Sequence, residues 1–230
     1  MLAYVAWQLW GTNWVSHRKQ REEVTKLQED WAVKDCKEPE TGKSSALIRI
    51  PAFGKKYVIP VLEGTSDEVL AKGFGHFEET VQPGPLSNGR TGNYALAGHR
   101  VTHGEPLRKM PDLRPGDVVV VETCENIYTY KLDTDPNKLI VDFTKTWVLD
   151  AFPQNPDGGV SAASGPDAPD KLCVDAKAAR DGRGTKISCD IKDMYKHVLT
   201  LTTCSELFHT DNRMIAFGHL VMVERRLTRV

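Results

Sequence analysis

Along most of the chain, apolar positions come in short runs set off by turn residues. Ala46–Ile50, Tyr57–Leu62, Asn93–Ala97, Asp117–Glu122, Ile127–Leu132, Leu139–Asp142, Thr146–Ala151, Val198–Thr203 and Met214–Val223 are rich in Val, Ile, Leu, Thr and aromatic residues. Pro51, Gly54, Pro60, Gly64, Gly92, Pro115-Gly116 and Pro136-Asn137 bound or interrupt them. Branched and aromatic side chains fit a pleated, half-buried surface, which Gly and Pro break. Many short strands with frequent turns predict a mainly β fold of about eight strands, a sandwich or a barrel. Inside this body, Ser66–Lys72 and Glu105–Leu113 read as short helices, while Gly73-Phe74-Gly75-His76 carries no signal of its own.

The first 44 residues have another texture. Met1 to Val15 is apolar and aromatic, too short to cross a bilayer, which takes about 20 apolar residues, and without the basic start of a signal peptide. Trp7, Trp10 and Trp14 fall at helical spacing, and Trp favours the membrane–water boundary. The expectation is the outer end of a truncated membrane anchor; an interfacial helix and a helix packed on the body are the other readings. From His17 to Asp30 the chain is charged, with Val24, Leu27 and Trp31 forming one narrow apolar stripe, as on a short amphipathic helix at the surface. The expected organisation is therefore a membrane-proximal helix and linker over residues 1–44, followed by one domain over residues 45–230.

Pro153 to Lys196 breaks the strand rhythm: it is rich in Pro, Gly and Asp, and Leu172-Cys173-Val174 and Ile187-Ser188-Cys189 are its apolar anchors. A loop of this length in a small domain is functional or mobile. Charge and cysteine content narrow the picture further. With 30 Lys+Arg against 31 Asp+Glu, the net charge of −1 gives no global reason to expect nucleic-acid binding. Five cysteines are too few for a disulfide scaffold, and the odd number leaves at least one thiol unpaired. Cys173 and Cys189 are expected to pair, closing a loop worth roughly 3 kcal/mol; Cys36 and Cys124 are left open.

Three strand ends carry reactive groups. Tyr94 to Ala97 runs into Gly98-His99-Arg100, Leu199 to Thr203 ends on Cys204, and Arg213 opens Met214 to His219. Alternation puts Leu199 and Leu201 on one face, and Cys204 on the other with Thr200 and Thr202. A thiol needs a nearby base or cation to act as a nucleophile at neutral pH. A Cys, a His and an Arg that converge would supply a nucleophile, a proton shuttle and a fixed positive charge, a set suited to acyl transfer through a thioester. Taken singly, each has an ordinary structural explanation: a small buried apolar group, a turn and a solvated charge. His209 and His219 have no zinc-type spacing with Cys204, and His219, inside an apolar strand, reads as a core histidine, so no metal is expected.

The combination of Ala97-Gly98-His99-Arg100, Thr200-Leu201-Thr202-Thr203-Cys204 and Arg213 nine positions later resembles the sortases, cysteine transpeptidases of Gram-positive bacteria. The resemblance runs from about Ser45 to Val223, and Thr200 to Cys204 reproduces the family's TLxTC signature. It implies an eight-stranded β-barrel; no cofactor is expected, since the calcium that some sortases use would need an acidic cluster and none is evident in the sequence. Cys204 is then the nucleophile on the Thr–Gly carbonyl of a C-terminal sorting signal. His99 is the acid for the departing amine and then the base for the incoming one, and Arg213 holds substrate or oxyanion. Thr203 is expected to line the pocket. The run from Tyr4 to Trp10, the Ala-Gly-His-Arg sequence and the Thr-Thr-Cys ending resemble class E, the housekeeping type of actinobacteria, associated with LAxTG rather than LPxTG signals. Where that class has a tyrosine before glycine, this chain has His103-Gly104, which places His103 among the expected substrate-binding residues. The implied partners are secreted proteins with a sorting signal, a peptidoglycan precursor amine and the membrane through an N-terminal anchor, with no nucleic acid. The implied location of the catalytic domain is extracytoplasmic. Two rival readings stay open: a cysteine hydrolase using the same three residues, and a non-catalytic surface β-barrel.

Overall fold

A computed structural model describes residues 12–84, 91–159, 161–162, 196–204 and 211–226, and of Thr12 and Cys204 the backbone alone. Nine strands follow in chain order: β1 (Ser44–Arg49), β2 (Ile59–Glu63), β3 (Phe74–His76), β4 (Gly92–Ala97), β5 (Val118–Glu122), β6 (Asn126–Leu132), β7 (Ile140–Asp142), β8 (His197–Cys204) and β9 (Asn212–Arg225). Period-two patterning explains how they pack. Along β6, Tyr128, Tyr130 and Leu132 are buried and alternate with half-exposed neighbours; facing β5, Val119 and Val121 pair with Tyr130 and Tyr128. A strand patterned in this way buries one face only, so the sheet has to curl around that face.

The sheet does so in the order β6-β5-β1-β2-β3-β4-β8-β9, and β6 pairs again with β9 to close an eight-stranded barrel. β7 is a ninth, short strand on the opening residues of β9. Two joints are parallel, β2–β3 and β4–β8. The barrel is filled by Leu96, Leu199, Leu201, Tyr94, Tyr128, Tyr130 and Ala216 among others. A second apolar layer lies outside the β8–β9 pair, where Val198, Ile215 and Phe217 are covered by Leu139, Trp147 and Val148.

This outer layer corrects one expectation. Thr146–Ala151 is not a strand: Thr146–Leu149 is a tight 3₁₀ turn whose Trp147 and Val148 are apolar because they cover β8 and β9. Glu105–Leu113 is likewise no helix beyond a single 3₁₀ turn at Met110–Asp112, where Pro111 removes an amide donor. Phe74–His76, which carried no sequence signal, is β3, and its glycine is a packing requirement: a Cβ on Gly75 would lie 2.4 Å from the Gly64 carbonyl oxygen. Ser66–Lys72 does contain a helix, α2 (Asp67–Leu70), capped by the Ser66 hydroxyl accepting from the Val69 amide.

Among the described residues, the segment before the barrel forms one helix, α1 (Thr12–Ala32). Its stripe of Val24, Leu27 and Trp31 packs on Leu47 of β1, with Leu27 and Trp31 buried, while the Arg226 guanidinium covers the Trp31 ring at 4.2 Å. Towards the N-terminus the same face continues through Gln20 and Ser16, which are also buried. Among the described residues, no helix is long and apolar enough to cross a membrane; most of the apolar run that carried the anchor expectation, residues 1–11, lies outside them. Just after α1, Cys36 is disulfide-bonded to Cys124 at the β5–β6 turn, with Cα atoms 5.6 Å apart. The two cysteines left open from the sequence are thus paired; Cys173 and Cys189, expected to pair, lie outside the described residues.

Candidate functional site

The parallel pairing of β4 with β8 sends both strands out at the same rim of the barrel. Ala97 is level with Thr202. One residue further, the Gly98 amide donates to the Thr202 carbonyl at 3.1 Å, and the buried Thr203 hydroxyl donates to the Gly98 carbonyl at 2.7 Å. His99 follows two residues past the end of β4, at the same rim where β8 ends on Cys204. Across the antiparallel β8–β9 pair, Cys204 is the partner of Arg213, and β7 adds Val141 opposite Arg213. Of the three reactive residues singled out in the sequence, backbone pairing joins Cys204 to Arg213, and His99 leaves the adjacent strand β4 at the same rim. Leu199 and Leu201 face the barrel interior, while the Thr200 hydroxyl is turned away, donating to Asn93 at 2.8 Å, as alternation predicts.

His99 is half-buried and its carbonyl is tied down by the Leu107 amide at 2.9 Å. Burial, reinforced by the His103 ring and only partly countered by Asp67, lowers its pKa from 6.5 to about 4. The His103 ring lies 4.8 Å from the His99 ring, with their planes 30° apart. That stacking depends on an unusual loop: His103, Gly104 and Glu105 have φ of 55°, 80° and 48°, three consecutive residues in left-handed conformations. His103 is thus a close neighbour of His99, and its Nδ1 lies 3.0 Å from the Thr102 hydroxyl. Arg213 lies with its guanidinium 5.9 Å from the centre of the exposed Phe143 ring and donates to the Asn212 carbonyl at 3.3 Å.

His219 is a buried histidine, its Nδ1 2.7 Å from the Asp133 carboxylate, in line with the core reading. Among the described residues, no group of three or more His, Cys, Asp or Glu side chains is arranged to hold a metal. Sequence reasoning missed two features. His76 forms a buried pair with Glu63 at 2.7 Å, joined by Ser45 and Gln82. The amides of Asn13 and Gln20 reach the 103–105 loop from α1. A face running Asn13, Ser16, Gln20, Val24, Leu27, Trp31 at helical spacing was the available signal for the second.

Comparison with known proteins agrees with this geometry. Residues 48–221 match the family model described as the sortase domain. The chain is 33% identical to sortase SrtE1 of Streptomyces coelicolor over 96% of its length, and spans about half of that relative, 53%. The solved structure of sortase E from Streptomyces avermitilis superposes with a TM-score of 0.56 at 31% identity, covering 81% of this chain and 93% of that one. Sortase E1 of Streptomyces coelicolor, solved with a tripeptide in its active site, gives 0.57 at 30%, covering 82% and 94%. With a family match across most of the barrel and a fold shared with these structures, the chain belongs to the sortase family.

Proposed function

We propose that the protein is a cysteine transpeptidase that cleaves a C-terminal sorting signal of the LAxTG or LPxTG class between Thr and Gly and passes the acyl group to a cell-wall amine. The observation that carries this reading is the side-by-side pairing of β4, β8 and β9, with Cys204 opposite Arg213 and His99 two residues past the end of β4 at the same rim.

With its pKa held down to about 4, His99 is a neutral imidazole at pH 7. It accepts the thiol proton as the Cys204 Sγ attacks the Thr carbonyl carbon, and Arg213 stabilises the resulting oxyanion. As the intermediate collapses, the C–N bond breaks and His99 returns the proton to the departing glycine amine, leaving a thioester. The acceptor amine then attacks the thioester carbonyl. Its proton passes to His99 and on to the leaving sulfur, so that thiol and neutral imidazole are restored. Thr203, hydrogen-bonded to Gly98, fixes the approach of the two strand ends and lines the pocket. His103 stacks at 4.8 Å on the His99 ring. The domain over residues 45–230 works outside the cytoplasm, with residues 1–44 as the membrane-proximal segment. The Cys36–Cys124 disulfide supports the oxidising location.

Peptides carrying LAxTG and LPxTG signals, incubated with an amine acceptor and followed by mass spectrometry, test the proposal. Ligated product that disappears in Cys204→Ala is expected. Hydrolysed product alone would indicate a peptidase, and turnover unchanged in Cys204→Ala would remove the assigned nucleophile.

A further inference from the structure

The 103–105 loop is held from α1, a helix outside the barrel. Asn13 works in both directions: its Nδ2 donates to the Glu105 carboxylate at 2.7 Å, and its Oδ1 accepts from the Gly104 amide at 2.9 Å. One heptad along, buried Gln20 donates to the His103 carbonyl at 3.4 Å. Gly104 is pressed against it so closely that a Cβ would lie 2.4 Å from Gln20 Nε2. Two amides from one helix face therefore hold three consecutive residues that would relax if freed. A left-handed φ at His103 and at Glu105 costs on the order of 1–2 kcal/mol per residue and persists only where surroundings impose it.

We infer that Asn13 and Gln20 are positioning residues of the proposed reaction: by fixing the His103–Glu105 loop, they hold the His103 ring on His99 and so set the orientation of the acid–base imidazole. The inference rests on the proposed transpeptidase chemistry but concerns a contact the chemistry itself does not require. The groups bearing on His99 are His103 from the loop and Asp67 from α2; Arg108 pairs with Glu105 at the loop's far side. With the loop released, His103 withdraws and His99 swings into solvent. Both changes weaken the causes that keep its pKa low, so it titrates closer to 6.5.

The experiment uses the full chain with Asn13→Ala, Gln20→Ala and the paired exchange Asn13→Asp with Glu105→Gln. In the exchange, a carboxylate at position 13 still accepts from the Gly104 amide, and the new amide at position 105 donates back to it. The measurements are kcat and KM on a sorting-signal peptide, the His99 titration followed by NMR of its ring carbon, and the thermal midpoint. Each single variant should lower kcat by on the order of 10-fold to 100-fold with KM little changed, and move the His99 titration upward; the exchange should restore both. Single variants with wild-type kcat and an unmoved His99 titration would overturn the inference. So would a loss of activity that follows the thermal midpoint while His99 titrates as before, or an exchange that restores neither. A wild-type protein that ligates no peptide would refute the chemistry instead, while the His99 titration would still report whether α1 holds the loop.

Discussion

The half-buried imidazole of His99 sets the pH range of the proposed reaction. Burial first, and the neighbouring His103 second, favour its neutral form, bringing its pKa to about 4. Neutral imidazole is the form that accepts the thiol proton. The acidic limb of kcat/KM should therefore fall near pH 4 rather than near 6.5, and His103→Ala should move it upward; a pH–rate profile checks both. Stability shares this window: the unfolded chain binds the His99 proton more readily, so stability declines as pH falls from 6.5 towards 4. Glu63 acts lower on the scale. Burial opposes its ionisation, but hydrogen bonds from His76, Ser45 and Gln82, together with the His76 charge, outweigh burial and hold the carboxyl below 4.5. A lowered carboxylate pKa stabilises the fold above the unfolded value and ceases to do so as pH falls through the folded one. Glu63→Gln should thus cost about 1–3 kcal/mol at neutral pH and much less under acid, as read from urea unfolding at the two pH values. This pair was not legible in the sequence, because Glu63 and His76 ride on β2 and β3 and meet only once those strands lie parallel.

At the scale of elements, α1 shows what periodicity conveys and what it leaves out. The apolar stripe of Val24, Leu27 and Trp31 was readable because burial of apolar groups leaves a regular imprint. The polar continuation through Gln20, Ser16 and Asn13 shared that spacing but pointed to no partner, since amides and hydroxyls on a helix read as solvent-facing until a buried partner is known. Trp31→Ala should cost about 3–5 kcal/mol by opening the α1–β1 contact, measurable as a lower urea midpoint. The Cys36–Cys124 bridge fastens the end of the same helix across a sequence separation of 88 residues. A loop of that size is worth roughly 4–5 kcal/mol on chain-entropy grounds. Cys36→Ser should show most of that loss, and reductant should destabilise the wild type by more than it does the variant. Strand β3 marks the opposite failure: three residues with a glycine at the centre give no alternation to read, yet the approach of the Gly64 carbonyl demands Gly75.

For the molecule as a whole, the β class and most strands followed from short runs of branched and aromatic residues set off by Gly and Pro, and residues 97–100, 200–204 and 213 were recognisable as a family signature. Closure into a barrel came from the family resemblance and not from patterning, because the β6–β9 and β4–β8 pairings join segments far apart in the chain, and local patterning says nothing of distant partners. Those pairings matter most to function. His99 and Cys204 are carried on two parallel strand ends brought together from 105 residues apart, as the Thr203–Gly98 hydrogen bond shows. Contacts of such long range form late in folding. In the proposed extracytoplasmic setting, a chain threaded outward carries the His99 imidazole for more than a hundred residues before the Cys204 sulfur follows, and the two meet only when the last strands dock. On the proposed chemistry, half-finished copies are harmless to the secreted proteins around them, and readiness to cut and join arrives together with the finished fold.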